Sequence, residues 1–323
     1  MTYSALLVHL ELGRSNAGVL GVAADLAGRC HADVIGIAVC RSIVASLSAT
    51  GYVSGEALQC ADDEIAKEQQ EAEAEFRTLL GGLAGNLEWR CASLLEAPSA
   101  YLSREARTAD LVITAPDRGG AAFLDPRHID IADLVLTAGR PVLLMPGTEN
   151  RLHLQHALLA WKDGRAARRS AWDALPLLKL ATHVTVAAVD RESEAAAVRE
   201  GLTDVVQWLA SHDIAAEPTS RISGGSEATA LAGIVRTVHA DLVIAGAYGH
   251  RRWSEWALGG VTRDVHPPFS SHPSFALARC SSGPRRTVQA SQIVGILNDA
   301  GRPRRDPFTD RAGAAQDQYV TTV

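Results

Sequence analysis

The sequence predicts an α/β protein made of two tandem, doubly wound units, and three observations carry that prediction. Short apolar runs alternate with longer helical patterns, the signature of parallel strands joined by helical crossovers. Three of those runs recur in one order, which marks an internal repeat. ALLVHL at 5–10 returns as ALLAWK at 157–162, ADVIGIAV at 32–39 as THVTVAAV at 182–189, and ADLVIT at 109–114 as ADLVIA at 240–245. Composition agrees: the 323 residues are 47% hydrophobic but only 5% aromatic. Such an Ala, Leu and Val content suits helices laid on buried strands, and the length suffices for two cores.

Each element follows in order. In the first copy, strands are predicted at 5–10, 32–39 and 109–114, and RPVLLMP at 140–146 closes the unit. A helix rich in Glu, Ala and Gln is predicted at 64–83, stopped by Gly81-Gly82. The register between the copies shortens after the second strand pair, so the first copy carries extra residues, placed between 42 and 75. Polar GTENRLHLQ at 147–155 reads as the linker. In the second copy, strands at 157–161 and 183–189 flank a helix at 167–181. Residues 194–213 place Val198, Leu202, Val205, Val206 and Leu209 on one helical face. Ser226 is the expected cap of a helix over 226–240, with Leu231, Ile234, Val235 and Val238 on one face. ADLVIA follows as a strand, and a last strand within 271–280 is weakened by Ser274 and Ala276. The expected domains are therefore 1–148 and 153–280. A tail at 281–323, dominated by Ser, Pro, Arg, Gly and Asp, has too little apolar content for a core.

Charge and cysteine content exclude several classes. The net charge of −6, from 31 basic and 37 acidic side chains, argues against a nucleic-acid partner. The five cysteines lack CxxC spacing, which fits free thiols in a reducing, cytoplasmic setting. The N-terminus has no basic region ahead of its short apolar run, and no run is long enough to span a membrane. His266 and His272 have no ligand-spaced companions, so no metal site is expected. No nucleophile and base are paired in a way that supports a hydrolase triad.

In open parallel sheets, ligands bind beyond the carboxyl ends of the strands, where the strand order reverses. That directs attention to Trp161-Lys162-Asp163-Gly164 and to Gly246-Ala247-Tyr248-Gly249. After Gly246 and Gly249 come nine residues, then Gly259-Gly260, with Thr262 behind them. The order is strand, glycine turn, loop and helix start, a layout suited to holding phosphates on backbone N–H groups. Lys162 and Arg263 could add charge.

The G-x2-G-x9-G-G spacing resembles the nucleotide-binding signature of universal stress proteins, G-x2-G-x9-G-[S/T]. AWKDGRAARRSAWDALPLL at 160–178 is similar to the first strand and helix of that family's tandem members. The resemblance covers roughly 1–280 and is strongest in the second copy. It implies five parallel strands per unit, paired through the last strand as an intrachain pseudo-dimer or a homodimer. It implies ATP or another adenine nucleotide as ligand, with or without Mg, and a regulatory role in stress response. Asp163 would contact the adenosine, and the backbone at Val189 the adenine. Gly246, Gly249, Gly259, Gly260 and Thr262 would hold ribose and phosphates. Gly260 departs from the motif, since a hydroxyl residue is usual there. Alignment of the two ADLVI runs sets Ala115, Arg118, His128 and Ile129 opposite the four glycines, and Glu11 stands opposite Asp163. The first copy is thus expected to bind no nucleotide. Slow ATP hydrolysis stays open, although no residue is an evident base. The rival reading is a nucleotide-free interaction scaffold in which the glycines only make turns.

Overall fold

The computed structural model describes residues 2–42, 54–82, 85–116, 125–145, 150–190, 195–223, 226–246 and 275–279. Among the described residues, ten strands form one sheet. In chain order they are β1 (Ala5–His9), β2 (Asp33–Arg41), β3 (Leu87–Leu94), β4 (Leu111–Thr114), β5 (Val142–Leu144), β6 (His156–Ala160), β7 (His183–Asp190), β8 (Glu217–Ile222), β9 (Leu242–Gly246) and β10 (Phe275–Arg279). Their order across the sheet is β3-β2-β1-β4-β5-β10-β9-β6-β7-β8. All pairings within β1–β5 and within β6–β10 are parallel, so each half is a doubly wound α/β sheet. At the junction β10 runs antiparallel to β5, with Leu277 opposite Leu143. The strands of the two halves therefore point in opposite directions. The last strand, weak in the sequence, is present and paired on both sides.

Strand alternation sends side chains to two helical layers. Leu6 and Val8 of β1 and Ala157 and Leu159 of β6 enter one core, while Leu7 and Leu158 enter the other. The first core is covered by α1 (Ala17–Cys30), α2 (Gly55–Leu80), α5 (Arg165–Asp173), α6 (Leu175–Leu180) and α7 (Ala195–Ala210). The second is covered by α3 (Pro98–Glu105), α4 (Ile131–Thr137) and α8 (Glu227–Thr237). Of the predicted face of α7, Leu202, Val205 and Leu209 are buried. Ser226 caps α8 as expected, accepting from the Thr229 N–H at 3.3 Å.

The repeated Asp of ADLVI has a structural task in both halves. Asp110 accepts the N–H groups of Ser4 and Ala5 at 2.7 and 3.2 Å, and Asp241 those of Gln155 and His156 at 2.8 and 3.2 Å. Each carboxylate satisfies donors at the start of its half's central strand, which would otherwise lack strand partners. Burial pushes the Asp241 carboxyl up, and the hydrogen bonds from Gln155 and His156 oppose it.

Several elements differ from the sequence reading. The single helix expected at 167–181 is two, α5 and α6, because Pro176 can neither donate an N–H nor tolerate a preceding helical turn. Gly81 does not take the left-handed stop; it stays right-handed at φ −58°. The linker is less polar in effect than in composition, since Leu152 and Leu154 are buried in the first core. Arg29 of α1 also donates to the Leu152 carbonyl at 3.4 Å. Strand β3 was not anticipated: as an edge strand it alternates half-buried and exposed residues and has no apolar run.

Candidate ligand crevice at the carboxyl edge

In the second half, the chain leaves the central strand β6 for β7 on one side and later reaches β9 on the other. The switch point therefore lies between the carboxyl ends of β6 and β9. Trp161 extends β6 by donating to the Ala187 carbonyl at 2.7 Å. Lys162, Asp163 and Gly164 then turn the chain into α5. Gly164 is the residue before the helix, its backbone extended at φ 168°, and no side chain caps the helix there. The first turn of α5 holds no acidic residue, while Arg165, Arg168 and Arg169 lie along it. N–H groups at a helix start carry partial positive charge; of the arginines, Arg168 is paired with Asp163 and Arg169 with Asp173.

Asp163 sits at this start as the sequence predicts. Its side chain is 67% exposed and is held by Arg168, whose two nitrogens lie 2.9–3.1 Å from it. Lys162 is turned away, with Nζ 3.1 and 3.2 Å from the Glu227 carboxylate at the start of α8. That pairing across the edge was missed in the sequence, where Lys162 stood only as a phosphate contact. Val189 is a buried residue of β7, and the chain after Asp190 is tied back by the Ser223 N–H to the Asp190 carbonyl at 2.7 Å.

Gly246 ends β9 against the first turn of α5. A Cβ there would lie 2.6 Å from the Ala166 carbonyl carbon and 2.7 Å from the Ala167 nitrogen. The glycine is thus needed for helix to approach strand, whatever else it does. A substitution such as Gly246→Val would push α5 off the sheet. Gly246, Asp163 and Val189 are thereby brought to one edge. Gly249, Gly259, Gly260 and Thr262 lie outside the described residues, as do 281–323.

The corresponding edge of the first half is chemically different. His9 and Thr114, at the ends of β1 and β4, are hydrogen-bonded through Nδ1 and Oγ1 at 2.9 Å. His9 is buried, and desolvation lowers its pKa to about 4, so the imidazole is neutral. Its Nε2 has no hydrogen-bond partner among the described residues. The start of α1 is covered by a carboxylate: Glu75 accepts from the Asn16 N–H with both oxygens at 3.0 Å, and from the Ser15 hydroxyl at 3.0 Å. The start of α4 is capped by Asp130, which accepts the Asp133 N–H at 2.9 Å. No group of three or more His, Cys, Asp or Glu able to hold a metal ion occurs among the described residues. Nor is any described helix long and apolar enough to cross a membrane.

No family model matches the chain, and no curated protein matches it. Solved structures do. A universal stress protein from Archaeoglobus fulgidus DSM 4304 superposes with a TM-score of 0.58 at 13% identity, over 85% of this chain and 98% of that one. A putative universal stress protein from Pseudomonas aeruginosa UCBPP-PA14 matches at 0.49 and 15% identity, over 86% of this chain and 93% of that one. At such identities the first of these establishes the shared α/β fold.

Proposed function

We propose that the chain is a tandem universal-stress-type protein, with units at 1–148 and 153–280, that binds ATP or another adenine nucleotide in its second unit only. Its role is regulatory: occupancy alters the loop between Gly246 and Thr262 and whatever that loop contacts. The observation that carries this reading is the difference between two equivalent helix starts. That of α5, uncapped like that of α1, carries only the exposed Asp163–Arg168 pair, whereas that of α1 has Glu75 on the Asn16 N–H. Phosphate oxygens are stabilised at the first kind of helix start and repelled at the second. Asp163 then exchanges Arg168 for the ribose or base of the nucleotide, and Gly249, Gly259, Gly260 and Thr262 close on the phosphates, with Mg where the triphosphate requires it.

Denaturing the purified protein and assaying for released ATP, ADP or AMP tests this directly, followed by calorimetric titration with ATP. Asp163→Ala should weaken ATP by about tenfold, the loss expected for one charge-assisted hydrogen bond. No co-purified nucleotide, and no heat up to millimolar ATP, rejects the reading. The scaffold alternative has an observation of its own: the close approach of Gly246 to α5 accounts for that glycine without a ligand. Under it, the antiparallel β5–β10 pairing forms an intrachain pseudo-dimer, and its surface does the work.

A further inference from the structure

Counted back from β3 and β8, the extra residues of the first copy fall between β2 and α2 and in the first turns of α2, which runs from Gly55 to Leu80 against Ala195–Ala210 for α7 in the second half. Within α2 the addition builds little core. The first fully buried residue of α2 is Ile65; in the turns before it, Leu58 and Ala61 are half-buried. The part of α2 that matches α7 places two carboxylates at the first crevice. Glu68 pairs with Arg127 through both oxygens, at 2.7 and 2.8 Å, and its side chain is only 12% exposed. It also lies against Gly13, where a Cβ would stand 2.7 Å from Oε1 and where φ is +71°. Glu75 holds Ser15 and the Asn16 N–H.

Gly13 belongs to the loop after β1, and Arg127 to the segment after β4. These are the two loops that flank the β1–β4 switch point. Their counterparts in the second half carry Asp163 and the glycine motif. Glu68 therefore bridges the same pair of loops that a ligand would bridge. A bidentate guanidinium fork and a backbone N–H are groups that hold phosphate as readily as carboxylate.

We propose that α2 is an internal occupant of the first crevice, an autoinhibitory contact in which Glu68 and Glu75 stand in for the oxyanions of a phosphate-bearing ligand. On this account the first half is closed by its own acid and not merely by the loss of glycines. The proposal shares the nucleotide reading's premise that these edges are ligand sites, but its test is read in the first half alone.

The test uses the full chain as wild type, Glu68→Ala/Glu75→Ala, the same pair with Arg127→Ala, and the isosteric Glu68→Gln/Glu75→Gln. The probe is inorganic phosphate at up to about 10 mM, balanced with chloride for ionic strength. Amide hydrogen exchange is followed in peptides spanning 10–17 and 125–131, since phosphate bound there adds protection by mass action. Wild type should not respond. The alanine pair and the glutamine pair should each gain phosphate-dependent protection in both peptides, and Arg127→Ala should remove it. Folded variants that show no gain overturn the proposal. So does loss of folding in both pairs, which would make the carboxylates supports rather than occupants. Exchange in 160–170 on adding ATP to wild type reports separately on the second half, so failure of one reading is distinguishable from failure of the other.

Discussion

A neutral histidine buried at the end of β1 makes the molecule sensitive to mild acid. The His9 pKa falls from 6.5 to about 4 on folding because burial penalises the imidazolium. The unfolded chain therefore binds more protons between those values, and stability rises with pH across that window and is lost as pH falls through it. Between pH 7 and pH 5 the loss should be about 2 kcal/mol from this group alone. Urea unfolding at the two pH values checks it: His9→Leu should flatten the difference, and an equal pH dependence in that variant would assign it elsewhere. Gly246 supplies a second prediction at this scale. Gly246→Ala puts a methyl into the backbone of Ala166 and Ala167, and should cost about 2 kcal/mol, seen as a lower melting temperature without any ligand. The sequence marked Gly246 for the right place but for an incomplete reason. A glycine that admits a ligand and one that admits a helix look alike in one dimension.

At the scale of elements, the paired aspartates before β4 and β9 should behave as duplicates. Asp110→Ala and Asp241→Ala each strand two backbone donors at the head of a central strand, and each should cost about 2 kcal/mol. Comparable losses in chemical denaturation would support the equivalence; a loss in only one would break it. Elements buried on both sides were legible in the sequence. β1, β2, β4, β6, β7 and β9 announce themselves as unbroken apolar runs because no face of them meets water. β3 did not, because an edge strand keeps polar residues such as Glu88 and Arg90 along its length. The break between α5 and α6 was also legible in principle, since Pro176 stands inside the pattern. At the candidate site, Asp163, Val189 and Gly246 could be found from motif and strand position. Glu68, Glu75 and Arg127 could not, because their meeting depends on how a long polar helix lies over two distant loops.

The whole molecule hinges on a strand, β10, with 28 residues between it and the end of β9. β10 is the piece that fills the gap between β5 and β9, and each of those strands has only one other neighbour. A chain ended after Gly246 should therefore expose two sheet edges, and edges of that kind recruit other chains. Sedimentation velocity should show self-association or aggregation of the truncated chain at concentrations where the full chain does not associate further. A well-behaved truncated chain of unchanged size would mean that β5 and β9 close on each other without it. The antiparallel seam has another consequence. Because the strands reverse across it, the carboxyl edges of the two halves face away from each other and share no wall. A residue gained at one edge is then invisible to the other. Descent from a common unit could add turns to α2 on one side and preserve an aspartate and its glycines on the opposite side, with neither change constraining the next. The seam keeps the halves joined in folding while leaving them free to diverge in chemistry.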